Sequence, residues 1–202
     1  MAMMNTLAQE HVDSAALTAG RFAHPGRNIA ALGIEPGMNI ADFGAGSGAY
    51  TLEIAQVLGH AQLAGHVYAV DVQKDLLRRI KTLAQAQKLD TIDVLHGDLE
   101  KPGGSKIAEH AVDLVLISNL LFQLEDKKAP VREAARILKE GGRLAIIDWE
   151  DSFGGLGPIQ AHVFKRESAL ALSSECGFIL EREFPAGAHH YGFIFRKIRS
   201  EA

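Results

Sequence analysis

The chain has 202 residues, 47% of them hydrophobic and 23% charged, and a formal net charge of −4 at pH 7. A chain of that size is expected to build one sizeable core, residues 1–202 as a single domain, and its acidic balance argues against a nucleic-acid partner, which would ask for a basic stripe. Its one cysteine, Cys176, excludes an internal disulfide, no apolar run reaches the ~18 residues that span a bilayer, and the Met1-Ala-Met-Met start lacks the pattern of a signal peptide, so a cytoplasmic setting is expected.

In chain order, residues 1–25 read as a helical cap segment outside the main core, closed by the turn signal His24-Pro25-Gly26. A helix is expected at 27–33 and a strand at 38–43, followed by Asp42-Phe-Gly44-Ala-Gly46-Ser-Gly48 and a helix over 48–58. Glycine at alternate positions lets a ligand approach the main chain, and the N–H groups of the helix start face it. The spacing also contains Gly44-x-Gly46-x-x-Ala49, a dinucleotide-type turn. Asp42 at the strand tip would repel a pyrophosphate and attract an ammonium, which favours a cationic cofactor without phosphate. The plainer alternative for Asp42 is a cap of the next helix.

A strand at 66–71 ends in Asp71, followed by Val72 and a helix at 73–88, and a strand at 92–96 leads to Asp98 and Leu99. The three acids, about one strand and one helix apart, should converge on one edge of a parallel sheet. For Asp71 the plainer alternative is a helix cap, and for Asp98 a turn residue. After a helix expected at 104–110, the strand at 112–117 delivers Ser118 and Asn119 to the same level. A helix at 126–138, a strand at 142–148 ending in Asp148, and a helix at 165–176 follow. The last strands, 178–184 and 191–197, are joined by six residues, too few for a crossover helix, so they must be antiparallel.

The ordered set Ala41-Asp-Phe-Gly-Ala-Gly-Ser-Gly48, Val70-Asp71, Gly97-Asp98-Leu99, Val112 to Asn119 and Ile137-Leu-Lys-Glu-Gly-Gly-Arg-Leu-Ala-Ile-Ile-Asp148 resembles the class I S-adenosylmethionine-dependent methyltransferases. The lead-in Leu32 to Met38 is similar to their small-molecule, quinone-biosynthesis-like branch. The resemblance implies a Rossmann-like α/β fold: a seven-stranded, mostly parallel sheet with helices on both faces and a C-terminal antiparallel hairpin. It implies that Gly44, Gly46 and Gly48 pass beneath the methionine and ribose parts of S-adenosyl-L-methionine, that Asp42 faces its amino group, and that Asp71 with Val72 meets the ribose. Asp98 and Leu99 would address the adenine, and Asn119 the methionine moiety.

Substrate contacts are expected on the loops beyond the fourth and fifth strands and between the last two, from Phe122, Asp148, Trp149, Glu150, His162, His189, His190 and Tyr191. Asp148, His189, His190 and Tyr191 are the candidate catalytic residues, although adjacent strand residues face opposite sides, so the two histidines should diverge. The nine histidines show no metal-ligand spacing. Asn119-Leu-Leu-Phe122 lacks the prolines of the amino-methylating signature on bases or glutamine, and one thiol is too few for arsenite chemistry. The glycine-rich stretch 151–158 reads as a lid over the site or as a plain connection. The expected partner is a small-molecule methyl acceptor. Two other readings remain open: a nicotinamide-dependent oxidoreductase, disfavoured by Asp42 and the hairpin, and a non-catalytic or repurposed cofactor-binding module, aminopropyl transfer included.

Overall fold

A computed structural model describes residues 25–59, 65–153, 155 and 157–199; the expected N-terminal cap, up to residue 24, lies outside them. The order of elements is α1 (Pro25–Leu32), β1 (Asn39–Phe43), α2 (Ala49–Gly59), β2 (His66–Asp71), α3 (Lys74–Gln87), β3 (Ile92–His96), β4 (Val112–Ser118), a short 3-10 turn Leu121–Gln123, α4 (Lys128–Ile137), β5 (Leu138–Trp149), a second 3-10 turn Gln160–His162, α5 (Arg166–Glu175), β6 (Phe178–Gly187) and β7 (His190–Lys197). The sheet runs β3-β2-β1-β4-β5-β7-β6. Its first five strands are parallel, and β7 pairs antiparallel with both β5 and β6.

The central strands are apolar on both sides because both faces are covered. Ala41, Phe43, Val115, Ile117, Leu144, Ile146, Phe193 and Phe195 pack with Val131, Ala134 and Ile137 of α4 and Ala169 of α5. Ile40, Leu114, Leu116, Ala145, Ile147 and Ile194 pack with Ile29 and Leu32 of α1 and Ile54, Ala55 and Leu58 of α2. Leu77 and Ile80 of α3 close the same face against Ala69 of β2. Each such side chain taken out of water contributes about 1.5–3 kcal/mol before entropy is counted.

The expected strands and hairpin are present, with β5 beginning earlier, at Leu138, immediately where α4 stops. The helix expected at 104–110 is absent. Gly103, Lys106 and His110 stand at positive φ. The Glu133 carboxylate accepts from the amides of Gly103 (3.2 Å) and Ser105 (3.1 Å), so these donors serve a side chain instead of a helical ladder. Arg136 completes this knot at 2.7 Å from Glu133. Burial would push the Glu133 carboxyl up, but the bonds from Arg136 and Ser105 outweigh it and hold the carboxyl below its ordinary range.

The chain leaves β1 in one direction, to β2 and β3, then returns to add β4 and β5 on the other side. That reversal opens a crevice beyond the carboxyl ends of β1 and β4, where open α/β sheets take their ligands.

Candidate active site at the carboxyl edge of the sheet

Gly44, Gly46 and Gly48 all stand at positive φ. The amides of Gly44 and Ala45 both donate to the Val70 carbonyl, at 2.9 and 3.1 Å, which folds the loop toward β2. A Cβ at Gly44 would fall 2.8 Å from Leu120 and one at Gly48 would fall 2.7 Å from Ile80, so these two glycines serve packing. At Gly46 the nearest atom is the Gly44 carbonyl oxygen, 3.8 Å away. The main chain is bare on that side.

Asp42, the last residue but one of β1, is buried and accepts from Thr51 Oγ1 at 2.6 Å. Burial raises its carboxyl to about 6; the Thr51 bond pulls it down, and the Asp71 charge pushes it up again. Asp71 accepts from the Gly46 amide at 2.9 Å through one oxygen and from the Gln73 amide at 2.7 Å through the other. The bond to Gln73 is a turn just before α3, whose N-cap is Gln73 itself, so Asp71 does not cap the helix, and each oxygen keeps acceptor capacity for a ligand. Val72 is 61% exposed beside it. Asp98 is exposed and bonds the Glu100 amide at 3.1 Å, whereas Leu99 turns into the core.

Asn119 follows β4 at φ 52, its amide on the Ile147 carbonyl at 2.9 Å and its Oδ1 3.0 Å from His190 Nε2. The catalytic candidates separate by face. Asp148 is paired with Tyr191 across β5 and β7 and shares its face of the sheet. Burial lifts the Asp148 carboxyl to about 7 against the pull of the Trp149, Phe122 and Leu121 amides; one oxygen accepts from the Trp149 amide at 2.8 Å, and the other is buried with no hydrogen bond of good geometry among the described residues. Tyr191 is 1% exposed and donates to the Phe164 carbonyl at 2.8 Å; burial raises its phenol. His190 lies on the opposite face against the Trp149 indole, ring centres 4.2 Å apart. His189, in the turn, meets the Asp151 carboxylate at 2.9 Å and stacks on Phe153. The two histidines diverge, as strand geometry requires.

Of the other residues expected near the substrate, Phe122 lies in the 3-10 turn after β4, Glu150 is 3.6 Å from Arg166, and His162 is exposed. Residues 154 and 156 of the glycine-rich stretch lie outside the described residues. Gly157 sets its main chain on the indole, where a Cβ would fall 2.6 Å from the ring. On the surface Lys128 pairs with Glu175, Arg166 with Glu183 and Arg196 with Glu181. Thr51 and Asp151 were not singled out in the sequence. Thr51 has a signal, a hydroxyl on the helix that follows the glycine loop. The Asp151 contact spans 38 residues and has none.

A family profile described as "Methyltransferase domain" matches residues 41–146. Demethylmenaquinone methyltransferase of Listeria monocytogenes is 28% identical over 166 residues, 77% of this chain and 67% of that protein. Arsenite methyltransferase of Homo sapiens is 28% identical over 115 residues, 54% of this chain and 30% of that protein. Among solved structures, a SAM dependent methyltransferase from Aquifex aeolicus superposes with a TM-score of 0.78 at 22% identity, covering 89% of this chain and 92% of the other. The [4+2]-cyclase SpnF does so with 0.69 at 14%, covering 93% and 82%. The chain belongs to the methyltransferase-domain family; it is an S-adenosylmethionine-dependent methyltransferase.

The residues fit that cofactor chemically. The bare main chain at Gly46 admits a ligand where a side chain would stop it, and the acids at the ends of β1 and β2 suit an ammonium and a diol. The same acids would oppose a pyrophosphate.

Proposed function

We propose that the enzyme methylates a small molecule held over the carboxyl ends of β4, β5 and β7, with its cofactor lying across β1, β2 and β3. The observation that carries this reading is the open approach at Gly46, flanked by Asp42 and Asp71. In this reading Gly44, Gly46 and Gly48 floor the cofactor, Asp42 lies beneath its amino group, Asp71 and Val72 take the ribose, Asp98 and Leu99 border the adenine, and Asn119 offers an amide donor. When bound, the cofactor supplies a methyl group on a positively charged sulfur. The chain then has to align the acceptor and exclude water, and alignment contributes roughly 7–11 kcal/mol toward the barrier.

Where the acceptor must lose a proton, two groups are placed to take it: His189, held at Nδ1 by Asp151, and Asp148, whose carboxyl at about 7 exchanges a proton near neutrality. We read Tyr191 as a packing residue because its hydroxyl is already committed to Phe164. His190 is read as supporting the site from beneath. The Listeria relative supports a quinol-like acceptor; the arsenite relative supports arsenic chemistry poorly here, since the chain has one cysteine. A cytoplasmic setting without a nucleic-acid partner accords with the free thiol and the acidic balance.

The test is calorimetric titration of wild type and Asp71→Ala with S-adenosylmethionine, S-adenosylhomocysteine and NADH. Micromolar binding of the adenosyl compounds, weakened in the variant and absent for NADH, is expected, followed by an acceptor screen read as S-adenosylhomocysteine release. Binding of NADH alone would overturn the reading.

A further inference from the structure

Asn119 is the one neutral amide among the candidate cofactor residues; the side chains around it are Asp42, Asp71 and Asp98, which accept and do not donate when ionised. A carboxamide has a donor end and an acceptor end, and which end faces the crevice decides what it can bind. Asn119 is held at three points. Its amide donates to Ile147, its carbonyl accepts from Gln123 Nε2 at 2.6 Å, and its Oδ1 meets His190 Nε2 at 3.0 Å. Its φ of 52 is a left-handed conformation that an asparagine tolerates better than most residues. Across the crevice, Leu120 packs against Gly44, so this segment faces the glycine loop directly.

His190 is 3% exposed, packed on Trp149, and its Nδ1 is buried with no hydrogen-bond partner among the described residues. Two arrangements satisfy the contact with Asn119. If Nε2 carries the hydrogen, it donates to Oδ1 and the orphaned Nδ1 is a lone pair. If the amide is turned over, Nδ2 donates to a bare Nε2 and the orphan becomes a buried N–H, the less tolerated of the two. The first arrangement wins. It leaves Asn119 Nδ2, which has no partner among the described residues, as the end offered to a ligand. An orphaned ring nitrogen is a cost that an apolar side chain of the same size would avoid. The Nε2 donor is what the imidazole supplies in return.

We propose that His190 is a positioning residue that sets the polarity of the site: by donating to Asn119 Oδ1 it turns the Nδ2 donor toward the carboxylate of the cofactor's amino-acid part. This rests on the cofactor reading above. Without the imidazole the carboxamide turns freely, and half of its orientations set an oxygen against that carboxylate. The effect is confined to ligands that carry the carboxylate.

The experiment titrates S-adenosylhomocysteine and 5′-methylthioadenosine, which lacks the amino-acid part, into wild type, His190→Met, His190→Gln and Asn119→Asp. His190→Met weakens S-adenosylhomocysteine roughly three- to tenfold, about one hydrogen bond, and leaves 5′-methylthioadenosine unchanged. His190→Gln, whose Nε2 amide stands where the imidazole donor stood, restores most of the loss. Asn119→Asp keeps an acceptor for His190 but replaces the donor by an anion, and loses more than tenfold for S-adenosylhomocysteine alone; it decides the question if the Met variant does not fold. Equal weakening of both ligands, or no weakening of either, overturns the proposal. A wild type that binds 5′-methylthioadenosine but is indifferent to the carboxylate overturns it as well. A wild type that binds neither overturns the cofactor reading beneath it.

Discussion

Asp148 offers a test of whether its buried carboxyl stands where the structure puts it. Burial lifts its pKa from 3.8 to about 7. A raised folded-state pKa means that the native protein binds a proton more tightly than the unfolded chain does. The group therefore contributes stability at low pH, and the contribution is lost as pH rises through the folded value. Between pH 5 and pH 8 the loss integrates to about 3 kcal/mol for these two values. Asp42, raised to about 6, adds a loss of about 1 kcal/mol over the same interval. His190 acts in the opposite direction. Burial lowers its imidazole to about 4, so the unfolded chain takes up its proton first, and some 2 kcal/mol of stability is gained as pH rises over that range. The wild-type profile is thus a partial cancellation. The informative quantity is the difference between wild type and Asp148→Asn, because the amide does not titrate and its packing cost is the same at both pH values. Urea unfolding at pH 5 and 8 should show the variant losing about 3 kcal/mol less than wild type across the interval, or ~6–12 °C less in melting temperature for a chain of this size. Parallel profiles for the two proteins would refute the reasoning, since they would mean that the carboxyl is solvated or moves out on ionising.

The other predictions concern packing and the glycine loop. Gly46→Ala meets open space and has only its positive φ to overcome, so it should cost about 1 kcal/mol in stability while weakening S-adenosylhomocysteine more than tenfold in titration. Gly48→Ala, whose Cβ would fall 2.7 Å from Ile80, should instead lower the melting temperature more than Gly46→Ala does. Arg136→Met leaves the nearly buried Glu133 carboxylate without its cation and should cost about 3 kcal/mol in urea unfolding at pH 7, an effect that shrinks when Glu133→Gln is made in the same chain. Trp149 is the sole tryptophan and 2% exposed, so its emission reports the Gly157 contact. Gly157→Ala, whose Cβ would fall 2.6 Å from the indole, should shift that emission to the red and increase quenching by iodide, with far-ultraviolet dichroism unchanged.

Local regularities made much of the fold legible. The short, near-continuous apolar runs, the Gly44 to Gly48 turn and the short final connection mark β1, β2, β4, β7 and the antiparallel end, since each depends on residues close in sequence. Asp42, Asp71 and Asn119 could be placed on one edge because parallel strands deliver their carboxyl ends together. The stretch 104–110 failed because its Ser105 amide bonds Glu133, 28 residues beyond, while Lys106 and His110 stand at positive φ, and no local pattern announces that bond.

The amino-acid sequence by itself determined the succession of strands and helices, the glycine loop and the acids at the strand tips, all of which follow from local pattern and from what glycine and carboxylates can do. Tertiary structure alone decided which polar atoms stay free. Asp148 and Tyr191 share one face, His190 and Trp149 the other, and the contacts Asn119–His190 and Asp151–His189 span 71 and 38 residues. Those spans close only when β7 enters between β5 and β6, and burial by the packed helices then sets the carboxyls of Asp42 and Asp148 near neutrality.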